Sequence, residues 1–214
     1  MVTVGASGRE VVLRAGNYRA RIVTVGAGLA GLTYRGHEVI VPHRVDECPP
    51  AYLGKVLMPW PNRVAGGAYS WEGTSYDLPV DEPAFGTSLH GFVAFQDWQV
   101  DRADASCVQL STLIATRYSY PWTLLASARY SLDARAGLAV ELSATNVGQG
   151  TAPLGVGFHP YLAVDGIRAD DLELTNPASI IYEADASMIP VAAHDVADFG
   201  LDFRSPARIG EAGL

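Results

Sequence analysis

Two histidines stand in settings suited to moving a proton. His90 lies in Thr87-Ser-Leu-His-Gly-Phe92, and His159 lies in Leu154-Gly-Val-Gly-Phe-His-Pro-Tyr-Leu162. An imidazole with an unperturbed pKa of about 6.5 can carry a proton and return it near neutrality. Gly91 beside His90 and Gly157 two residues before His159 permit close backbone approach, and Pro160 biases His159 toward an extended conformation. A third stretch, Met58-Pro-Trp-Pro-Asn-Arg-Val64, packs two prolines, an indole, an amide and a guanidinium into seven residues. Such a run is no central strand. It reads as a rigid loop with Trp60 as an apolar plate beside fixed donors, Asn62 and Arg63, although cis-proline turns alone would also account for it. His37, His43 and His194 read as surface or hydrogen-bonded structural residues. His37 and His43, six residues apart along a turn and loop, define no ligand geometry, and no metal site is expected.

A different chemistry is suggested by Val23-Thr-Val-Gly-Ala-Gly-Leu-Ala-Gly-Leu32, in which Gly26, Gly28 and Gly31 spell the dinucleotide fingerprint. That fingerprint works only when its last glycine opens a helix whose N-terminus holds a pyrophosphate. Here β-branched and aromatic residues follow at once, and Arg35-Gly36-His37 reads as a tight turn. Six residues separate Gly31 from the strand Glu38–Val41, whereas a crossover helix needs roughly ten or more. Asp46 lies in a loop after Pro42 and His43 rather than at a strand end. The glycines are expected to ease a strand through a bend and admit another segment closely, with no nucleotide cofactor.

The elements around these residues read as β throughout. Val108, Leu110 and Ile114 fall on one face of Cys107–Ile114, with Gln109 and Ser111 on the other. Leu138, Val140, Leu142 and Ala144 alternate with Glu141, Ser143 and Thr145 in the same way. Period two over this length marks half-buried antiparallel strands. Thr123–Leu132 is a further strand candidate joined to the second by Asp133-Ala-Arg-Ala-Gly137, and Tyr69–Leu78 forms a compact hairpin. Strands at regular spacing with turn signals between them indicate a sandwich or barrel. The expectation is an all-β fold, a large antiparallel β-sandwich, with 1–214 as a single domain.

Composition narrows the partners. The formal net charge of −8, with no basic run, argues against nucleic acid. Cys48 and Cys107 have no zinc-type spacing and read as free thiols. The N-terminus lacks a signal-peptide pattern, and no run of eighteen apolar residues exists. A soluble, cytoplasmic protein with no membrane partner is expected.

"PWPNR", "SLHGF" and "GFHPYL", in this order within an all-β chain, resemble the aldose 1-epimerase (galactose mutarotase) family. "VGAGLAGLTYRGHEVI" and "RYSLDARAGLAVELSATNVGQGTAPLGVGFHPYL" look like that family's opening hairpin and the strand pair before the second histidine. The resemblance implies a many-stranded sandwich that interconverts the α and β anomers of free aldoses, glucose or galactose among them, without metal or nucleotide. An acid protonates the ring oxygen while a base takes the anomeric hydroxyl proton; the ring opens, C1–C2 rotates, and the ring recloses. By the match, His159 is the acid and His90 binds the sugar and orients the ring oxygen. Arg63 and Asn62 meet hydroxyls, and Tyr161 of the same "HPY" motif joins the substrate-binding set. Trp60 either faces the pyranose or packs beneath the loop.

The family's base is a glutamate near the C-terminus, preceded by a sugar-binding aspartate. Glu211, Asp195, Asp198 and Asp202 do not match these positions, and no general base is found. The resemblance runs from about Val11 to the end and covers the first part of a family member. A fragment or truncated, weakly active form is therefore expected, or one completed by a further segment or a second copy. The alternatives are a silent carbohydrate-binding domain, an epimerase of hexose 6-phosphates, and an interaction domain with no sugar site.

Overall fold

The structure is a computed structural model that describes residues 5–212. Strands β1 (Glu10–Ala15), β2 (Tyr18–Val23), β3 (Gly28–Tyr34) and β4 (His37–Glu38) form an antiparallel sheet in sequential order. The glycine fingerprint thus enters a strand, not a helix. Gly26 precedes it at φ 73°, and a Cβ there would collide with the Ala94 carbonyl and stand 2.6 Å from Lys55 Cδ. Four residues further on, Ala30 is left over where the β2–β3 register shifts between Arg21 and Ile22. That bulge bends β3 around its neighbours.

Five short strands follow: β5 (Val56–Leu57), β6 (Arg63–Ala65), β7 (Ala68–Trp71), β8 (Thr74–Asp77) and β9 (Thr87–Leu89). The β7–β8 pair is the expected hairpin, turning at Glu72 and Gly73. A second sheet, β10 (Gln99–Ala103), β11 (Cys107–Ile114), β12 (Leu124–Asp133) and β13 (Gly137–Asn146), is again antiparallel and sequential. Val108, Leu110 and Ile114 of β11 are buried as the alternation requires, and β12 alternates without a break from Leu124 to Leu132.

The inner faces of the two sheets share one core that includes Leu13, Ile22, Leu29, Trp98, Leu110 and Tyr130. The Tyr130 hydroxyl, fully buried, donates to the Ala27 carbonyl of the glycine bend, so the far sheet grips the bend directly. Beyond β14 (Gly157–Phe158) the chain makes two small pairs, β15 (Glu173–Leu174) with β18 (Ala207–Arg208) and β16 (Ile180–Ala184) with β17 (Pro190–Asp195). Among the described residues the only helical elements are short 3-10 turns, and no helix is long and apolar enough to cross a membrane.

Candidate active site

The proline-rich loop is the hub. It runs from the end of β5 to the start of β6, with a cis Met58–Pro59 bond, and each flanking strand recruits one histidine. β5 pairs with β14, Leu57 opposite Gly157 and Val56 opposite Phe158. The pairing continues by two backbone bonds, His159 N–H to the Lys55 carbonyl at 3.0 Å and Gly54 N–H to the His159 carbonyl at 2.8 Å. β6 pairs with β9, Arg63 opposite Leu89, which sets His90 against Asn62. Both histidines therefore leave the end of a two- or three-residue strand toward the same space.

Asn62 and His90 hold each other. The Asn62 N–H donates to His90 Nδ1 at 2.9 Å, and the His90 N–H donates to the Asn62 carbonyl at 3.0 Å. Both take left-handed backbone, φ 60° and 61°. Gly91 follows at φ 74° with the Met58 carbonyl where a Cβ would be, so only glycine lets His90 lie this close to the loop. The His90 and His159 rings meet edge to face with centroids 5.2 Å apart, and Tyr161 lies 5.3 Å beyond His159.

These groups line a cleft of about 560 Å³ that also takes in Tyr52 and Glu82. Burial, then the neighbouring His159 and Arg63, push His90 down to about 4. It is a neutral ring at neutral pH; with Nδ1 accepting from Asn62, its proton sits on Nε2. Arg63 is forked onto Glu82, Nε to Oε2 at 2.6 Å and Nη2 to Oε1 at 2.7 Å, while Nη1 donates to Asn62 Oδ1 at 3.2 Å. These hydrogen bonds from Arg63, and another from Thr87, hold the Glu82 carboxyl below the usual range.

The structure brings together His90, His159, Arg63, Asn62 and Tyr161 of the expected set, and leaves Trp60 out. The Trp60 ring turns to the other side of the loop, edge to face with Phe92 at 4.8 Å, and lines a separate apolar hollow with Tyr69, Trp71 and Tyr120. Of its two sequence readings, plate or packing, packing is what the geometry shows. Two cleft residues carry no sequence signal of their own. Glu82 meets Arg63 only through the β6–β9 pairing, and Tyr52 reaches His90, 4.6 Å between centroids, from a loop with Ala51 and Tyr52 both at positive φ. Lys55 could have been noticed as the one lysine of the sequence, set in an apolar run. It is 1% exposed, donates from Nζ to the Val25 carbonyl at 2.7 Å, and ties the glycine bend to the segment that clips His159.

His43 is buried with Nδ1 against the Arg44 carbonyl, and His37 and His194 contact Asp165 and Glu183 away from the cleft. Among the described residues no group of three or more His, Cys, Asp or Glu side chains is placed to hold a metal ion.

Residues 9–214 match the family model for aldose 1-epimerase. The chain belongs to the aldose 1-epimerase family. It is 42% identical over 203 residues to the uncharacterized protein YihR of Escherichia coli K12, covering 95% of this chain and 66% of that one. A GalM/aldose epimerase homologue from C. elegans superposes with a TM-score of 0.85 at 24% identity, over 96% of this chain and 67% of that one. Galactose 1-epimerase from Lactobacillus acidophilus NCFM gives 0.83 at 24% identity, over 95% and 63%. At that identity the two structures establish the fold, a galactose mutarotase-like all-β sandwich. The chain spans about two thirds of the length of these three proteins.

Proposed function

We propose that the cleft binds a free aldose and interconverts its α and β anomers by ring opening. The observation that carries this reading is the meeting of His90 and His159, 5.2 Å apart, beside Arg63 in one cleft. His159 protonates the ring oxygen as C1–O5 breaks, the anomeric hydroxyl gives its proton to solvent water and becomes the aldehyde oxygen, and both transfers reverse on reclosure. His90, neutral and with Nε2–H free of Asn62, donates a hydrogen bond that orients and polarises that oxygen without giving up its proton. Arg63 and Asn62 meet hydroxyls. A hexose 6-phosphate fits less well, because Arg63 is already neutralised by Glu82.

A sugar-binding domain without turnover is the second reading, and one observation favours it. Glu82, the carboxylate lining the cleft, is bound by Arg63 and held charged, a weak base for the anomeric hydroxyl. Loss of a positioned acid or base group costs roughly 10²- to 10⁴-fold in rate. Titration with glucose and galactose, together with polarimetry of their freshly dissolved α anomers, separates the two. Saturable binding with accelerated mutarotation supports the enzyme, binding alone the silent domain, and no binding removes both.

A further inference from the structure

We propose that Glu82 is a specificity-determining residue of this cleft: it reserves the Arg63 guanidinium for neutral hydroxyl groups and keeps anionic sugars away from it. The inference rests on the aldose-binding reading above and adds the charge class of what Arg63 accepts.

The ion pair is built into the fold. Arg63 lies on β6 and Thr87 on β9, strands that pair as far as Ala65 opposite Thr87. Glu82 exchanges backbone bonds with Thr87, at 3.1 and 3.3 Å, and its Oε2 also accepts from the Thr87 hydroxyl at 2.7 Å. Both partners are mostly covered, with side chains 18% and 17% exposed. A bidentate pair in this setting is fixed in geometry, unlike an exposed single contact. The neighbouring Asp81 is also spoken for, its Oδ1 accepting the Leu89 N–H at 2.8 Å.

The donor inventory then states what Arg63 has left. Of the five guanidinium N–H groups, Glu82 takes two and Asn62 one. Two N–H remain for a ligand, one on Nη1 and one on Nη2, enough for a pair of sugar oxygens. The charge, however, is already met. A phosphate brought to those donors would face the Glu82 carboxylate at close range, with His90 neutral and unable to compensate. A hydroxyl oxygen meets no such penalty. Replacing Glu82 by glutamine keeps an acceptor for Thr87 and Arg63, removes the negative charge, and turns Arg63 into an anion receptor.

NMR titration of the whole chain with glucose and with glucose 6-phosphate tests this, using wild type, Glu82→Gln, Glu82→Asp and the double variant Arg63→Gln/Glu82→Gln. Wild type is expected to bind glucose more tightly than glucose 6-phosphate, and Glu82→Gln to shift that ratio toward the phosphate by roughly tenfold or more. The double variant is expected to lose the gain. Glu82→Asp keeps the charge but sets the carboxylate one methylene further from Arg63, so it is expected to keep the exclusion and, with the guanidinium less firmly held, bind glucose several-fold more weakly. A ratio unchanged in Glu82→Gln, or a gain that survives loss of Arg63, overturns the proposal while leaving aldose binding intact. Should the glutamine variant not fold, Glu82→Asp carries the test: loss of the discrimination against glucose 6-phosphate although the negative charge is kept overturns the proposal equally. A wild type that binds neither sugar, or prefers the phosphate, defeats the aldose reading itself and this inference with it.

Discussion

The Asn62 amide donates to His90 Nδ1 at 2.9 Å, and the His90 amide returns a bond to the Asn62 carbonyl at 3.0 Å. This exchange fixes the His90 tautomer, because an N–H facing Nδ1 leaves the ring proton to Nε2. Nitrogen-15 spectra should show a neutral, Nε2-protonated ring from pH 8 down to about 4. The folded pKa lies below the unfolded value of about 6.5, so between the two the unfolded chain binds a proton that the folded chain does not. This group's contribution to stability is therefore full above about 6.5 and declines as pH falls to 4, by on the order of 1 kcal/mol for a half-buried ring. Titration of His90 near 6.5, or an Nδ1–H tautomer, would contradict the assignment.

Gly91 holds the other side of His90. At φ 74°, with the Met58 carbonyl where a side chain would begin, Gly91→Ala must move either the loop or the histidine. A destabilisation of roughly 2–4 kcal/mol is expected in urea unfolding. A cost under about 1 kcal/mol would mean that the close approach is not maintained in solution.

Lys55 gives a pH signature at the alkaline end. Burial, at 1% exposure, pushes its ammonium down to about 8 from the ordinary lysine value of 10.5. The charged form is disfavoured in the fold, so the penalty is fully present below pH 8 and lifts as pH rises toward 10.5. The relief is about 2–3 kcal/mol. Lys55→Met should abolish this rise; thermal unfolding of both proteins at pH 7.5 and 9.5 reads it. Parallel behaviour of variant and wild type would exclude Lys55 as the source.

Trp60 packs against Phe92 and lines the apolar hollow, away from the histidines. Trp60→Leu should leave hexose affinity within about twofold of wild type while lowering stability by a few kcal/mol. A loss of affinity of tenfold or more, at unchanged stability, would return the indole to the sugar.

The strands are legible where alternation runs long. β11 and β13 show their faces in Val108, Leu110 and Ile114 and in Leu138, Val140 and Leu142, and the absence of room for a helix after Gly31 exposes the glycine string as a bend. The site is legible only as loops. Prolines and glycines mark where His90, His159 and Arg63 leave the strands, but a loop has no period, so nothing in Pro59-Trp60-Pro61 tells which side the indole takes. Glu82 is hidden for a different reason. It stands 19 residues from Arg63, and two strands of three residues each bring them together. Such short pairs carry no pattern of their own.

In the proposed reaction His159 moves a proton for a bound aldose. Anomeric exchange of α-glucose and α-galactose, followed by polarimetry with wild type and His159→Asn at matched sugar occupancy, tests it most directly. Wild type is expected to accelerate the exchange above buffer and His159→Asn to leave it at the buffer rate, sugar binding being retained. Equal rates for the two proteins, whether both fast or both at the buffer level, would contradict it.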